Sequence, residues 1–254
     1  MTRAVALLDF LAESGTQRAA VMADLDGCLI AGGQLLPHAI DLFTQCGDRL
    51  WIVSNNSSDT AVTLSSRLAR MGLPLRASQI LLAGEETIRR MAQDRPGQRI
   101  AVHAAEPLCA LARQLGLITD HTAPDAAVLA RDPGFSFASL TRLTAQVARG
   151  LPLVATNPDL NHPDAEGHPV PETGALLAAL TAAVPGLAIP TIGKPHPDLL
   201  QLALARAGVA AGDAIFIGDT PETDGVAARA AGVEFVLLRR PGSLPAKALE
   251  AQPC

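Results

Sequence analysis

Residues 19–30, A-A-V-M-A-D-L-D-G-C-L-I, constrain this chain more than any other stretch. A short apolar run follows the polar residues 16–18 and ends at two carboxylates one residue apart. Its length and texture are those of a buried strand. Residues i and i+2 of a strand project to the same side, so Asp24 and Asp26 can share one. Gly27 then frees the backbone to turn. Two acids at the end of a buried strand repel each other and raise a pKa unless a cation lies between them. A hard divalent cation with oxygen ligands, Mg²⁺ above all, suits such a pair. The string D-x-D-G also occurs in acidic surface turns, and this stretch alone leaves both readings open.

The 254 residues, 48% of them hydrophobic, can fill one large domain or two smaller ones. A net charge of −5 offers no electrostatic basis for binding nucleic acid. Cys28, Cys46, Cys109 and Cys254 form no C-x-x-C pair and no Cys/His cluster, which fits a reduced, cytoplasmic setting. The apolar segment 5–11 carries Asp9 within it and Glu13 just after, unlike a signal peptide. No segment approaches the roughly 20 apolar residues of a membrane span. The expectation is a soluble intracellular protein with neither nucleic acid nor membrane as partner.

Residues 3–13 have helical spacing in Val5, Leu8 and Leu11. Gly32-Gly33 and Pro37 mark an irregular excursion before a helix near 38–45. Residues 50–54 read as a second buried strand, running into S-N-N-S-S ahead of a helix over 61–71. Such a strand end offers donors and a helix N-terminus to an anion, or simply an N-cap at Ser58 or Asp59. A third strand covers 80–82. From about Glu85 the pattern alternates: helix 88–93, strand 99–103, helix 107–115, strand 125–130, helix 140–149 and strand 153–155. A polar loop at 156–171 and a helix at 174–183 follow. Turn signals at Gly84 and Pro185-Gly186 bound this α/β unit, as they would an inserted domain. Residues 189–192 then lead, strand-like, into G-K-P-H-P at 193–197 and a helix at 198–207. Strand 214–217 ends in Gly218-Asp219, a helix covers 226–231, strand 234–238 closes the pattern, and the tail from Arg239 reads as surface. The expected fold is α/β: a doubly wound parallel sheet from 1–84 and 186–254, carrying an inserted α/β cap at 85–185. Strands ending at Asp24, Ser54, Lys194 and Asp219 can open into one pocket, because open parallel sheets bind ligands beyond their carboxyl ends.

Those four loops, D-L-D-G at 24–27, Ser54, Lys194 and G-D-x-x-x-T-D at 218–224, resemble in order the four motifs of the haloacid dehalogenase superfamily. The second acid of the first motif is that of its phosphatases. T-N-P-D at 156–159, G-K-P-H-P and the S-N-N-S after the second strand resemble the NagD-like, p-nitrophenylphosphatase branch with a type-2 cap. The resemblance implies a Mg²⁺-dependent phosphomonoesterase acting on small phosphorylated metabolites such as sugar, glycerol, glycolate or nucleotide phosphates. Asp24 would be the nucleophile, forming an aspartyl phosphate. Asp26 would protonate the leaving alkoxide and then deprotonate the hydrolytic water. Mg²⁺ would be held by a carboxylate oxygen of Asp24, the backbone carbonyl of Asp26, and Asp219. Asp224 would hold a metal-bound water or Lys194, or is merely an acid at a helix N-terminus. Ser54 and the amides of Asn55 and Asn56 would bind phosphoryl oxygens, and Lys194 would neutralise charge on nucleophile and phosphoryl group.

The motif site sees only phosphoryl group and metal, so the cap has to select the substrate. Asn157, Asp159 and Arg131 are the candidates nearest the leaving group; alternatively they build turns or shape a cap-mediated homodimer. His162 and His168 read as solvated, and Cys28 as small packing. Three positions depart from the branch: His38 where glycine is common, Phe137 where tyrosine is frequent, and Glu172 where a small residue is usual. Two rivals remain. A phosphotransferase of mutase type needs an earlier cap, for which the 27 residues between Asp26 and Ser54 are too few. A non-catalytic ligand-binding module has no use for intact acids at 24, 26, 219 and 224.

Overall fold

Side chains alternate across a strand, and the buried strands of this chain use the alternation to fill a core on each face. The computed structural model describes residues 4–164, 166 and 168–239. The chain opens with β1 (Ala4–Val5), α1 (Leu7–Ala12) and β2 (Ala20–Ala23). A small hairpin, β3 (Ile30–Ala31) and β4 (Gln34–Leu35), precedes α2 (Ala39–Cys46) and β5 (Leu50–Ser54). Then come α3 (Ala61–Arg70), β6 (Ile80–Leu82) and α4 (Ala83–Asp94). The middle of the chain supplies β7 (Arg99–His103), α5 (Glu106–Gln114), β8 (Ile118–Thr119), β9 (Ala126–Leu129), α6 (Phe137–Ala148) and β10 (Leu153–Ala155). A second hairpin, β11 (Asn161–Pro163) and β12 (Pro169–Pro171), leads to α7 (Thr173–Ala183). The last part contains α8 (Asp198–Ala207), β13 (Ala214–Gly218), α9 (Val226–Ala231) and β14 (Glu234–Leu238).

The first sheet runs β1-β14-β13-β2-β5-β6, parallel throughout. Val21 and Ala23 face one apolar cluster, with Leu42, Leu64 and Leu68; Ala20 and Met22 face the other, with Leu200 and Phe216. The second sheet, β10-β9-β7-β8, is also parallel. Its faces are covered by α4 and α5 on one side and by α6 and α7 on the other. Leu187 and Ile189 pack into this second unit, Ile192 into the first. No helix among the described residues is long and apolar enough to cross a membrane.

Several local expectations change. Residues 4–5 are not helical: they add to the edge of β14, opposite Leu237 and Leu238, and the helix starts only at Leu7, leaving Leu8 exposed. Backbone pairing at the sheet edge outweighs helical spacing there; Arg3 lies outside the described residues. The excursion at Gly32-Gly33 is a regular two-residue hairpin turn, with φ of +54° and +77° that glycine adopts freely. The loop 156–171 likewise contains a hairpin. Residues 189–192 form no strand. They make a single bridge, Thr191 to Ala155, because Pro190 has no N–H to offer a ladder. Helix α4 begins at Ala83, directly after β6. His38 takes φ +69°, the left-handed region where the resemblance expects glycine. The tail beyond Arg239 lies outside the described residues.

His103, at the end of β7, is 4% exposed, and its ring makes no hydrogen bond to the described residues. Its ring meets His121 and Phe135 edge-on, at 4.7 and 5.2 Å. Burial first, then His121 and Arg142, lower its pKa from 6.5 to about 4. The folded chain keeps this imidazole neutral where the unfolded chain protonates it, so stability rises with pH between about 4 and 6.5. Acidification through that window is expected to cost up to about 3 kcal/mol. Urea unfolding at pH 7 and pH 4.5 measures it, and in His103→Gln the difference between the two should shrink.

Candidate active site between the two sheets

The first sheet reverses its winding between β2 and β13, and the carboxyl ends of these neighbours carry Asp24 and Asp219. Ligands collect at such switch points. The Asp24 amide still donates to Ile217 O (2.9 Å), which ties the nucleophile candidate to β13. The backbone then folds over buried Leu25, whose carbonyl accepts from Leu29 and Ile30. Asp26 is the one exposed residue among positions 21–30. After β13 a single π turn, Pro221–Gly225, brings Asp224 back beneath the strand end, where Thr220 N donates to its Oδ2 (3.1 Å). Position 218 has to be glycine: a Cβ there would overlap the Asp224 carboxylate.

Lys194 comes from a loop rather than a strand, and its side chain is 2% exposed. Nζ donates to Asp24 Oδ1 at 2.7 Å and to Asp224 Oδ1 at 2.6 Å, and lies 5.4 Å from the centre of the Phe216 ring. Asn55 grips the same peptide from β5: its Oδ1 accepts from Lys194 N (2.7 Å) and its Nδ2 donates to Lys194 O (2.9 Å). Gly193 allows this approach, since a Cβ would lie 2.5 Å from Asn55 Oδ1. Burial acts to lower the Lys194 pKa, but Asp224 and Asp24 outweigh it and raise it above the ordinary value. The ammonium therefore stays charged between two carboxylates.

Asp26 is shifted the opposite way for an acid. Desolvation within the cleft, then the charge of Asp24, push its pKa up to about 6, against the pull of His162 and Arg67. Such a carboxyl can give and take a proton near neutrality. Ser54 is buried and its Oγ accepts from Asn56 N (3.1 Å). The Asn56 side chain shapes the next turn, Oδ1 accepting from Ser58 N and Asp59 N.

The second sheet meets this site through buried polar groups. Asn157, 1% exposed, donates to Asn55 O (2.8 Å) and accepts from Asp159 N (3.1 Å). Asp159 Oδ2 accepts from Asn55 Nδ2 (3.0 Å). Both residues thus brace the loop that holds Lys194. Arg131 is placed differently. Its Nε is 3.3 Å from Glu172 Oε1, which also meets His162 Nδ1 at 2.6 Å, and its amide donates to Ser57 Oγ. Glu172 and His162 both act on the charge of Asp26, and Arg131 joins them through its ion pair with Glu172. The sequence points to Arg131 but marks His162 as solvated and assigns Glu172 no role. His162 is instead half-buried against Glu172. The departure from a small residue at 172 was the available signal.

Asp24, Asp219 and Cys28 place one potential ligand atom each within 4.8 Å of one another. Burial, then Asp219 and Asp24, raise the Cys28 thiol well above its ordinary pKa, so it stays a neutral thiol. What remains is a pair of carboxylates, a donor set that suits a hard divalent cation.

Comparisons with known proteins agree with this geometry. A haloacid dehalogenase-like hydrolase family model matches residues 21–118, and a related HAD-hydrolase-like model matches 191–253. The chain is 30% identical over 222 residues to a dihydroxyacetone phosphatase of Corynebacterium glutamicum, covering 86% of this chain and 80% of that one. It is similar in structure to the 4-nitrophenylphosphatase of Thermotoga maritima, with a TM-score of 0.81, 26% identity, and 92% and 90% of the two chains covered. A glycerol phosphate phosphatase of Mycobacterium tuberculosis, solved in complex with magnesium, matches with a TM-score of 0.78 and 26% identity over 88% of this chain and 68% of that one. The chain belongs to the haloacid dehalogenase-like hydrolases, in their NagD-like, p-nitrophenylphosphatase branch.

Proposed function

We propose that this phosphatase hydrolyses small phosphomonoesters with Mg²⁺ through an aspartyl phosphate on Asp24. The observation that carries the reading is the buried Lys194 ammonium shared by Asp24 and Asp224, beside a cleft in which Asp26 has a pKa near 6. An Asp24 oxygen attacks phosphorus as the ester oxygen departs, and Asp26 donates its proton to that oxygen. Asp26, now a carboxylate, accepts a proton from the water that attacks the acyl phosphate, releasing inorganic phosphate and restoring Asp24. Lys194 holds the nucleophile by its hydrogen bond to Asp24 Oδ1, and Asp224 with Asn55 fixes Lys194 in turn. Ser54 and the amides after it receive phosphoryl oxygens. The carboxylates of Asp24 and Asp219, with the carbonyl of Asp26, would hold Mg²⁺, which supplies charge neutralisation to the phosphoryl group.

Residues 85–185 are read as the cap that covers this site, and 1–84 with 186–254 as the catalytic core. Phosphate release across a panel of sugar, glycerol, glycolate and nucleotide phosphates, with and without EDTA, tests the activity. Turnover on one or more of them, lost on chelation and restored by Mg²⁺, is expected; no metal-dependent release on any ester would sink the reading.

The cap sets which ester is used, through Arg131 with Glu172 and His162 at the cleft, and through Asp159 and Asn157 behind it. Arg131→Ala is expected to reorder the substrate panel. Asn157→Ala and Asp159→Ala, which loosen the Lys194 loop, should lower turnover on every ester as well. A panel ranking unchanged in all three variants would make these residues purely structural.

A further inference from the structure

The second sheet has a switch point of its own. β7 connects through α5 to β8 on one side, while β9 connects through α6 to β10 on the other. The helices therefore lie on opposite faces, and the chain diverges between the carboxyl ends of β7 and β9. Open parallel sheets bind ligands in this kind of crevice. Here the crevice is a cavity of 360 Å³ lined by His103, Cys109, His121, Asp132, Ser139 and Arg142, on a floor of Val102 and Ala104. None of these residues belongs to the site at Asp24.

Two features mark it as built for a ligand. The His103 ring lines the cavity in a residue that is otherwise 96% buried, and no described side chain or backbone group hydrogen-bonds to it. Its ring nitrogens stay open to the cavity, where a guest can donate to one or accept from the other. Arg142, exposed on α6, makes no ion pair with a carboxylate among the described residues, although Asp132 lines the same cavity. The lining thus presents a cation and an anion apart from each other, with two imidazole rings and a hydroxyl between them.

We propose that the cap binds a small metabolite carrying a carboxylate and, a short chain away, a hydrogen-bond donor: a hydroxy acid or an amino acid. Arg142 takes the carboxylate in its planar fork. Asp132, one of whose oxygens already accepts from Gly134 N (2.8 Å), takes the hydroxyl or ammonium with its remaining acceptor capacity. The His103 and His121 rings fill the space between, each able to donate or accept. The volume lies at the small end of ligand pockets, which limits the guest to a few carbons.

Histidine ring signals in NMR of the full chain test this, with His103→Gln and His121→Gln to assign them. L-Lactate and L-alanine are titrated separately, with propionate as the acid lacking a donor and inorganic phosphate as a competing anion. The expected result is a saturable shift of the His103 and His121 signals with L-lactate or L-alanine, whichever it is naming the donor, and at least tenfold weaker binding of propionate. Arg142→Ala should weaken binding at least tenfold while leaving p-nitrophenyl phosphate turnover unchanged, since Arg142 is exposed and outside the catalytic site. Asp132→Asn should weaken it as well. No saturable shift with either compound, binding indifferent to Arg142→Ala, or saturation by inorganic phosphate alone at these rings would overturn the proposal. Because the readout is binding, it stands or falls apart from the phosphatase activity.

Discussion

Asp24→Asn is expected to lower turnover by at least about 10³-fold, the scale of losing a covalent nucleophile. The substitution preserves shape, and the new amide oxygen can still accept from Lys194 Nζ, which sits 2.7 Å from Asp24 Oδ1. Lys194 also keeps Asp224, so the fold should survive with a melting temperature close to that of the parent. What disappears is the charge and the nucleophilic oxygen. The measurement is phosphate release, together with acid trapping of the phosphorylated enzyme, which should be absent. Asp26→Asn separates the steps. It removes the proton donor and the later base but leaves the nucleophile, so the phosphoenzyme should still form from p-nitrophenyl phosphate, whose phenolate departs without a proton, and then persist. An Asp24→Asn enzyme that kept a tenth of its turnover would exclude the aspartyl-phosphate route.

How much of this was legible in sequence depends on whether a residue acts through its own strand or through a distant one. Asp24, Ser54 and Asp219 end apolar runs, and a buried strand ending in a polar residue can be read locally; β5, α8, α9 and β14 lie where periodicity put them. Lys194 was legible as a motif but not as geometry. Its loop lacks a strand because of Pro190, and is positioned instead by Asn55, 139 residues away. The same holds for Asn157: N-P-D reads as a turn, while its buried bond to Asn55 O spans 102 residues. The edge strand β1 was missed because its partner, β14, comes from the other end of the described chain. Glu172 was visible only as an oddity, since its partners Arg131 and His162 meet it after folding.

Lys194→Met is expected to be the most destabilising single change in the site. The ammonium is the one cation hydrogen-bonded to both Asp24 and Asp224 among the described residues, and Asp224 is fully buried. Removing one partner of a buried ion pair leaves an uncompensated charge, at a cost of about 3–5 kcal/mol. Methionine fills much of the same volume, so a cavity contributes little to the loss. Burial already pushes the Asp224 carboxyl up against the pull of Lys194; without that pull it should take up a proton, which caps the penalty and makes it smaller at lower pH. Urea unfolding at two pH values reads both effects. The control is Lys194→Met with Asp224→Asn, which removes the buried charge together with its partner. If the buried pair is the cause, this double variant recovers part of the lost stability while remaining inactive, because Asp24 still lacks its cation. A double variant no more stable than Lys194→Met alone would place the cost in packing around Phe216 instead, and a single variant losing under about 1 kcal/mol would mean that the pair contributes no more than an exposed one.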